Sequence, residues 1–289
     1  MYSKKPLVSI VMLCWNRKED VRKGLLNIRK EKYQNRETIV VDNGSSDGTP
    51  EMIEKEFPEV KLIKFHENTG IYAYNIGFET AKGKYILILD DDSYPLDDCI
   101  TLAVEKLEAN TQIGCIAAQI VNPKNSIQWP EGNINKSWNT YCFVGCGAFI
   151  RKDVFKKVGF YPGKYFLFHN ELAVSLRLQN LDYKITYFPE IKCFHKSPPN
   201  KRMNGFRMHY LMRNGSWNAW SFMPLKYLVF WYPGFVINNI FLSFKYKAFK
   251  GFFKGLFQSY TRLIFYFFKN RSPCYSKEWI EYIKKSFRL

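Results

Sequence analysis

Lys84-Tyr85-Ile86-Leu87-Ile88-Leu89-Asp90-Asp91-Asp92-Ser93 is an apolar run that ends abruptly in three adjacent carboxylates. The apolar part, residues 85–89, follows Gly83 and reads as a central strand of a sheet covered on both faces. Open α/β sheets bind ligands beyond the carboxyl ends of such strands. Crowded carboxylates repel one another unless a cation shares the site, and hard oxygen donors suit Mn2+ or Mg2+. The bland alternative for the segment taken alone is an acidic cap after a strand.

The surrounding pattern favours the ligand reading. Strand signals at 7–13, 37–41, 60–65 and 85–89 alternate with helical signals at 19–30, from Pro50 onward, at 71–81 and at 96–109. Thr49 before Pro50 fits an N-cap followed by proline at the first helical position. This βαβα order predicts an α/β fold with a doubly wound, mostly parallel sheet flanked by helices and joined by right-handed connections. After Gly114 the pattern loosens into shorter strands and loops (115–121 and 140–151), with a turn at 122–125, a helix at 171–180 and a strand at 184–188. Ser197-Pro198-Pro199-Asn200 is the best candidate boundary, dividing the chain into residues 1–200 and 201–289.

With 289 residues, 46% of them hydrophobic, the chain can bury one large α/β core or two modest ones. The first sixteen residues have a basic start and an apolar run, but the run is short and has no small-residue cleavage site, so a first strand explains it better than a leader. The seven cysteines are scattered, with no C-x-x-C pair, which points to reduced thiols in a cytosolic compartment. Cys142 and Cys146 lie near each other, but no matching His or Cys pair completes a zinc site in the sequence.

The formal charge of +17 is unevenly distributed. Residues 1–189 carry 25 Lys/Arg against 23 Asp/Glu, while residues 190–289 carry 18 against 3. Such asymmetry points to an anionic surface as partner of the last third. A 100° wheel from Phe244 onward gathers Phe249, Phe252, Phe253, Leu256, Phe257, Tyr260, Leu263 and Ile264 on one face. Lys247, Lys250, Lys254, Gln258 and Arg262 fall on the other, the pattern of a helix lying in the plane of a membrane surface. Residues 227–244 are uncharged and about long enough to span a bilayer. Pro233, Gly234, Asn238 and Asn239 interrupt them, which predicts a hairpin or re-entrant segment in the interface instead.

Val41-Asp42-Asn43-Gly44-Ser45-Ser46-Asp47-Gly48-Thr49 closes the second strand with turn formers. Asp42 can accept from the ring N–H of a base, and Asn16 and Arg17 fall at the same sheet edge as Asp42 and Asp90. Strand ends converging on one crevice form the geometry of a nucleotide site.

The ordered stretches at 8–17, 40–49, 67–93, 144–162 and 169–178 resemble the family 2 glycosyltransferases of GT-A fold, above all bacterial rhamnosyl, galactosyl and galactofuranosyl transferases of surface polysaccharide synthesis. The resemblance covers roughly residues 7–215. It implies inverting transfer of a sugar from a nucleotide diphosphate donor to an acceptor hydroxyl, with residues 1–200 as catalytic domain and 201–289 as membrane-associating region. By the same resemblance, Asn16, Arg17 and Asp42 hold base and ribose, and Asn68, Gly70 and Asn75 lie under the uracil and sugar. Asp90 and Asp92 match the D-x-D pair, with Asp92 the first choice as direct ligand of Mn2+ or Mg2+ and Asp91 contacting ribose or sugar. Glu171 takes the position of the usual catalytic Asp, while the acid before it is replaced by Asn170. His195 matches a metal- or diphosphate-contacting histidine, and Arg213 with Asn214 matches a pair that holds donor or lipid diphosphate.

An inverting displacement needs a single base within reach of the attacking hydroxyl, the role expected of Glu171. A helix-start carboxylate that stabilises the dipole is the bland alternative. Trp129 and Trp138 are candidates for stacking on a sugar ring, or for the core. The resulting expectation is a metal-dependent transferase, favouring a UDP-sugar, that works peripherally at the cytoplasmic membrane face on a lipid-linked or cell-surface glycan. Two readings compete: a polyprenyl-phosphate sugar synthase on the same fold, and a non-catalytic basic module for membrane or nucleic acid. The acidic cluster speaks against nucleic acid, because without a metal it would repel phosphate.

Overall fold

The chain runs from β1 (Val8–Cys14) through α1 (Lys18–Arg29), β2 (Arg36–Asp42), α2 (Thr49–Glu56), β3 (Lys61–Lys64) and α3 (Tyr72–Thr80) to β4 (Tyr85–Asp90). It continues through β5 (Ser93–Pro95), α4 (Cys99–Ala109), β6 (Ile113–Val121), β7 (Ile127–Trp129), β8 (Trp138–Asn139), β9 (Ala148–Arg151), α5 (Lys152–Lys157), α6 (Asn170–Gln179) and β10 (Lys184–His195). Four helices follow: α7 (Gly205–Phe222), α8 (Leu225–Lys245), α9 (Phe249–Tyr260) and, after a wide π-type turn at Ile264–Lys269, α10 (Lys277–Ser286). This computed structural model describes residues 5–124, 126–130, 133–196 and 203–286. The expected boundary at 197–200 lies outside the described residues, as does Asn125 of the expected turn.

Side-chain alternation along the strands builds two cores, one on each face of the sheet. Tyr85, Leu87 and Leu89 of β4 enter one apolar cluster with Val8, Ile10 and Met12 of β1, under α1, α2 and α4. Ile86 and Ile88 enter the other with Val11, under α3, α5 and α6. The sheet runs β3-β2-β1-β4-β9-β6-β10-β5, with β7 on β6 and β8 on β10. Strands β1 to β4 are parallel, whereas β9 lies antiparallel between β4 and β6. The mostly parallel, helix-flanked sheet matches the expectation.

Three local features differ from the sequence reading. Thr49 is the first residue of α2 rather than its cap. Gly48 precedes it in the left-handed region (φ 82°), and Asp47 Oδ1 accepts from Thr49 N at 3.0 Å while Oδ2 accepts from Lys18 N at 3.0 Å. One carboxylate therefore caps two helices. The strand expected at 184–188 runs on to His195, because a bulge between Phe188 and Lys192 absorbs Pro189, which has no N–H for the ladder.

The third difference is α8, a continuous helix with Pro233 inside it rather than a hairpin. Its polar residues do not break it: Asn239 turns inward and donates to Phe235 O at 2.8 Å. The wheel drawn from Phe244 is also divided. A turn at 246–248 separates α8 from α9, and Phe252 packs inward while Phe253 and Phe257 stay outside, 63% and 71% exposed. Glycine explains the division. A Cβ on Gly251 or Gly255 would strike the backbone of Gly205 or His209, so α9 lies directly on α7 through its glycines. Trp217, Trp220, Trp279 and Ile283 join the same cluster as Ile86 and Ile88, so the last helices share a core with the sheet.

Candidate functional site

Register brings the site residues to one level. Cys14 pairs with Asp42, Leu13 with Asp90, and His195 with Ser93 across the β5–β10 ladder. The last pairing explains why a histidine more than a hundred residues away in sequence meets the acids: antiparallel pairing sets it beside Asp92. Its Nε2 lies 3.2 Å from Asp92 Oδ1 and 3.7 Å from Asp90 Oδ2. Gln128 Nε2 donates to His195 O at 3.2 Å, which turns Gln128 Oε1 toward His195 Nδ1 at 3.1 Å. Nδ1 therefore donates to Gln128 and Nε2 faces the carboxylates. Burial opposes the charged ring, but the hydrogen bond to Asp92 and the charges of Asp90 and Asp92 raise its pKa overall, so a cation bound there displaces the Nε2 proton.

Asp90, Asp92 and His195 line a crevice of ≈ 660 Å³ together with Arg17, Asn43, Asn68, Gly70, Tyr74, Asp91 and Arg207. Arg17 Nη1 bridges Asp20 at 3.1 Å and Asp92 at 3.2 Å. Burial pushes the Asp91 carboxyl up to about 7, with the Arg17 charge opposing and Asp90 and Asp92 adding. Burial also raises Asp90, next to which the Tyr74 hydroxyl lies 3.0 Å from Oδ1. A cation among these groups would relieve the repulsion. Asp90 and Asp92 each bring a carboxylate oxygen within 3.7 Å of His195 Nε2, and two hard oxygens with a ring nitrogen are donor types that fit Mn2+ or Mg2+.

Other expected residues support the crevice from its edges. Asp42 is buried and accepts from Ser45 N at 3.0 Å, and Asn16 Oδ1 accepts from Ser46 N at 2.7 Å, so both shape the loop after β2. Asn68 Oδ1 accepts from Asn43 Nδ2 at 2.9 Å and Gly70 N at 2.9 Å. Gly70 has φ 64°, and a Cβ there would strike Phe166, so only glycine lets the two walls meet.

Two expected ligand contacts are corrected. Asn75 is not in the crevice: Nδ2 donates to Tyr161 O at 2.9 Å and Oδ1 accepts from Tyr161 N at 3.1 Å, so its amide pins α3 to the 160s loop. Arg213 is likewise spent on structure. Its Nη2 donates to Lys164 O at 2.8 Å and Tyr165 O at 3.0 Å, while Nε donates to Asn214 at 2.9 Å. Asn214 Nδ2 in turn reaches the carbonyls of Tyr165, Leu167 and Phe168. This clamp holds a loop in which Phe166, Phe168 and His169 all have positive φ. Such conformations persist only where surrounding bonds over-determine them. The loop forms one wall of the crevice through Phe166, Leu167 and Phe168. Trp129 and Trp138 pack on Tyr187 and do not line the crevice.

Glu171 is the second residue of α6, in its first turn. Burial pushes its carboxyl up to about 7, with the Asp90 charge adding and the Gly145 backbone opposing. A Cβ on Gly145 would come within 2.9 Å of Glu171 Oε1. A carboxyl with that value can take up a proton near neutral pH.

Arg207 escaped the sequence reading. Asn204 Oδ1 caps α7 by accepting from Arg207 N at 2.9 Å, which sets Arg207 in the first turn. A cation there opposes the helix dipole. Its guanidinium lies 4.7 Å over the Phe168 ring, and its buried Nε has no hydrogen-bond partner among the described residues. A cation placed against the dipole just after a helix cap was the available signal.

Comparison with known proteins agrees with this geometry. The family described as "Glycosyl transferase family 2" matches residues 9–159. The poly-β-1,6-N-acetyl-D-glucosamine synthase of Staphylococcus epidermidis is 26% identical over 208 residues, which are 66% of this chain and 50% of that protein. The chain thus spans about half the length of the curated relatives it matches. A mannosyltransferase from Pyrobaculum calidifontis, solved with GDP-Man and Mn2+, superposes with TM-score 0.61 at 17% identity, covering 91% of this chain and 88% of that one. Staphylococcus aureus TarS 1–349 with UDP-GlcNAc superposes with TM-score 0.61 at 14% identity, covering 73% and 66%. At these identities the structural likeness concerns the fold.

Proposed function

The chain belongs to glycosyl transferase family 2, and from that premise we propose that it is an inverting, metal-dependent glycosyltransferase. It moves a sugar from a nucleotide diphosphate, preferentially a UDP-sugar, to a hydroxyl of a lipid-linked or cell-surface glycan. The observation that carries this reading is the convergence of Asp90, Asp92 and His195 Nε2 at the carboxyl edge of the sheet, with Arg17 and Arg207 on the same crevice. Solved relatives by fold include complexes with UDP-GlcNAc and with GDP-Man and Mn2+, which supports a nucleotide-sugar and a divalent ion.

In this reading Asp90, Asp92 and His195 hold Mn2+ or Mg2+, which when bound neutralises charge on the departing diphosphate. Arg207, on the crevice wall, offers its guanidinium to the same diphosphate. Asn16 and Asp42 shape the loop that receives the base, while Asn68 and Gly70 form the floor beneath the sugar. Asp91 faces the ribose or sugar. Glu171 takes the proton of the attacking hydroxyl as the acceptor oxygen bonds the anomeric carbon from the face opposite the diphosphate, which leaves with the electron pair.

The reaction takes place at the cytoplasmic face of the cell membrane, where the enzyme is peripheral. Support comes from Phe230, Phe241 and Phe244 of α8 and Phe253 and Phe257 of α9, all exposed, amid the lysines of a region with 18 basic and 3 acidic residues. By length and composition α8 could also cross a membrane.

The test is transfer by the purified chain from UDP-, dTDP- and GDP-sugars with Mn2+, on detergent-dispersed lipid-linked glycan, with NMR of the new anomeric centre. Transfer with inversion supports the proposal. Transfer to a sugar-free lipid phosphate would move the reading to a lipid-phosphate sugar synthase, and no transfer or donor cleavage would overturn it.

A further inference from the structure

Cys146 brings a soft donor to a site otherwise built from hard ones. Its sulfur, a carboxylate oxygen of Asp90 and a ring nitrogen of His195 all lie within 4.8 Å of one another. The pairing is invisible in sequence, where Cys146 has no nearby histidine. The backbone on both sides of the thiol is closely packed. On either side of it, a Cβ on Gly145 would meet Glu171 Oε1 at 2.9 Å and one on Gly147 would meet Ile120 Cδ1 at 2.8 Å. Cys146 is buried, and β9 begins two residues later.

We propose that Asp90, Cys146 and His195 form a thiophilic metal site that takes Zn2+, and that Zn2+ held there excludes the hard ion and so silences the enzyme. Zinc bonds sulfur at about 2.3 Å and nitrogen or oxygen at about 2.0–2.2 Å, so tetrahedral donors stand roughly 3.3–3.8 Å apart. Asp90 and His195 already stand 3.7 Å apart, and the remaining spread of up to 4.8 Å closes by small rotations of the Asp90 and Cys146 side chains. His195 needs no movement, because Gln128 already directs its Nε2 into the site. Mn2+ and Mg2+ gain little from a thiol, whereas Zn2+ gains much. Both kinds of ion need Asp90 and His195, so occupancy by one excludes the other.

Binding is a proton exchange without redox chemistry. The Cys146 S–H bond breaks, the sulfur keeps the electron pair and bonds the ion, and the proton goes to solvent. The silencing consequence rests on the transferase reading above, but the Zn2+ site does not.

The full chain is titrated with Cd2+, a spectroscopic stand-in for Zn2+, while the ultraviolet thiolate-to-cadmium charge-transfer band is followed. The site predicts a band that saturates at one equivalent and is displaced by Zn2+. Cys146→Ser abolishes the band and Cys14→Ser retains it. His195→Gln, which leaves the thiol untouched, lowers Cd2+ affinity by at least the roughly 10- to 100-fold that outer-shell changes already cost. No band in the natural chain, an undiminished band in Cys146→Ser, or unchanged affinity in His195→Gln overturns the proposal. Mn2+-dependent UDP binding, measured on the same samples, separates the two claims. UDP binding without a band defeats only the zinc site, and a band without UDP binding defeats only the donor site.

Discussion

Gln128 orients the His195 ring: its amide N–H donates to the His195 carbonyl at 3.2 Å, and its amide oxygen faces Nδ1 at 3.1 Å. A residue on a short edge strand thereby decides which ring nitrogen meets Asp90 and Asp92. Metal-binding histidines are commonly oriented in this way. Gln128→Ala should leave the fold intact and lower Mn2+ affinity by about 10- to 100-fold. Manganese EPR titration measures it, and unchanged affinity would remove Gln128 from the site.

Glu171 makes a prediction with two signs. Its folded value is raised from 4.5 to about 7, so the folded state binds the extra proton between those pH values and stability falls as pH rises through that window. Glu171→Gln removes the penalty. Measured without added metal, the variant should be more stable than the natural chain at pH 8, by up to about 3 kcal/mol. The advantage should vanish below pH 4.5, the ordinary carboxyl value. Turnover should fall by orders of magnitude with donor binding near normal, and turnover of the natural enzyme should climb with pH through about 7. Full activity in the variant would sink the base assignment.

Arg207 should matter to the donor and little to the fold. Its Nε is buried without a partner among the described residues, so Arg207→Met loses no hydrogen bond at that atom. A lost charge-assisted bond to diphosphate costs about 1.5–3 kcal/mol, which is a ten- to hundredfold weaker UDP affinity. Calorimetry with UDP and a thermal melt separate the two effects. Equal affinity would show that Arg207 serves only to pack on Phe168.

The outward ring pair of α9 is separable from the inward one. Phe253→Glu combined with Phe257→Glu should weaken binding to anionic vesicles severalfold with little change in Tm, since both rings are exposed. Phe252→Ala, one residue away but buried, should instead cost about 3–5 kcal/mol of stability. Vesicle sedimentation decides, and unaltered binding in the double variant would exclude this face as the membrane contact.

Much of this was legible in the sequence because its signals are local. The alternation of β1 to β4 with their helices, and the run of acids after Leu89, are short-range patterns that the structure keeps within a residue or two. His195 was reached only through family resemblance, since the β5–β10 ladder that delivers it is long-range. Arg213 and Asn75 misled for the opposite reason. Each sits near the crevice in sequence terms, yet loop carbonyls and Tyr161 had first claim on their hydrogen bonds. The α9 wheel counted apolar residues and ignored Gly251 and Gly255, whose lack of side chains decides which face packs on α7. Cys146 could be found only by folding the chain.

The most direct test of the account is a calorimetric titration of UDP into the purified chain, with and without Mn2+, repeated on His195→Ala. The account predicts Mn2+-dependent binding at one site in the natural chain and binding weakened at least tenfold in the variant, as expected for loss of a ligand. Binding that is equally tight without metal, or unaffected by His195→Ala, would contradict it.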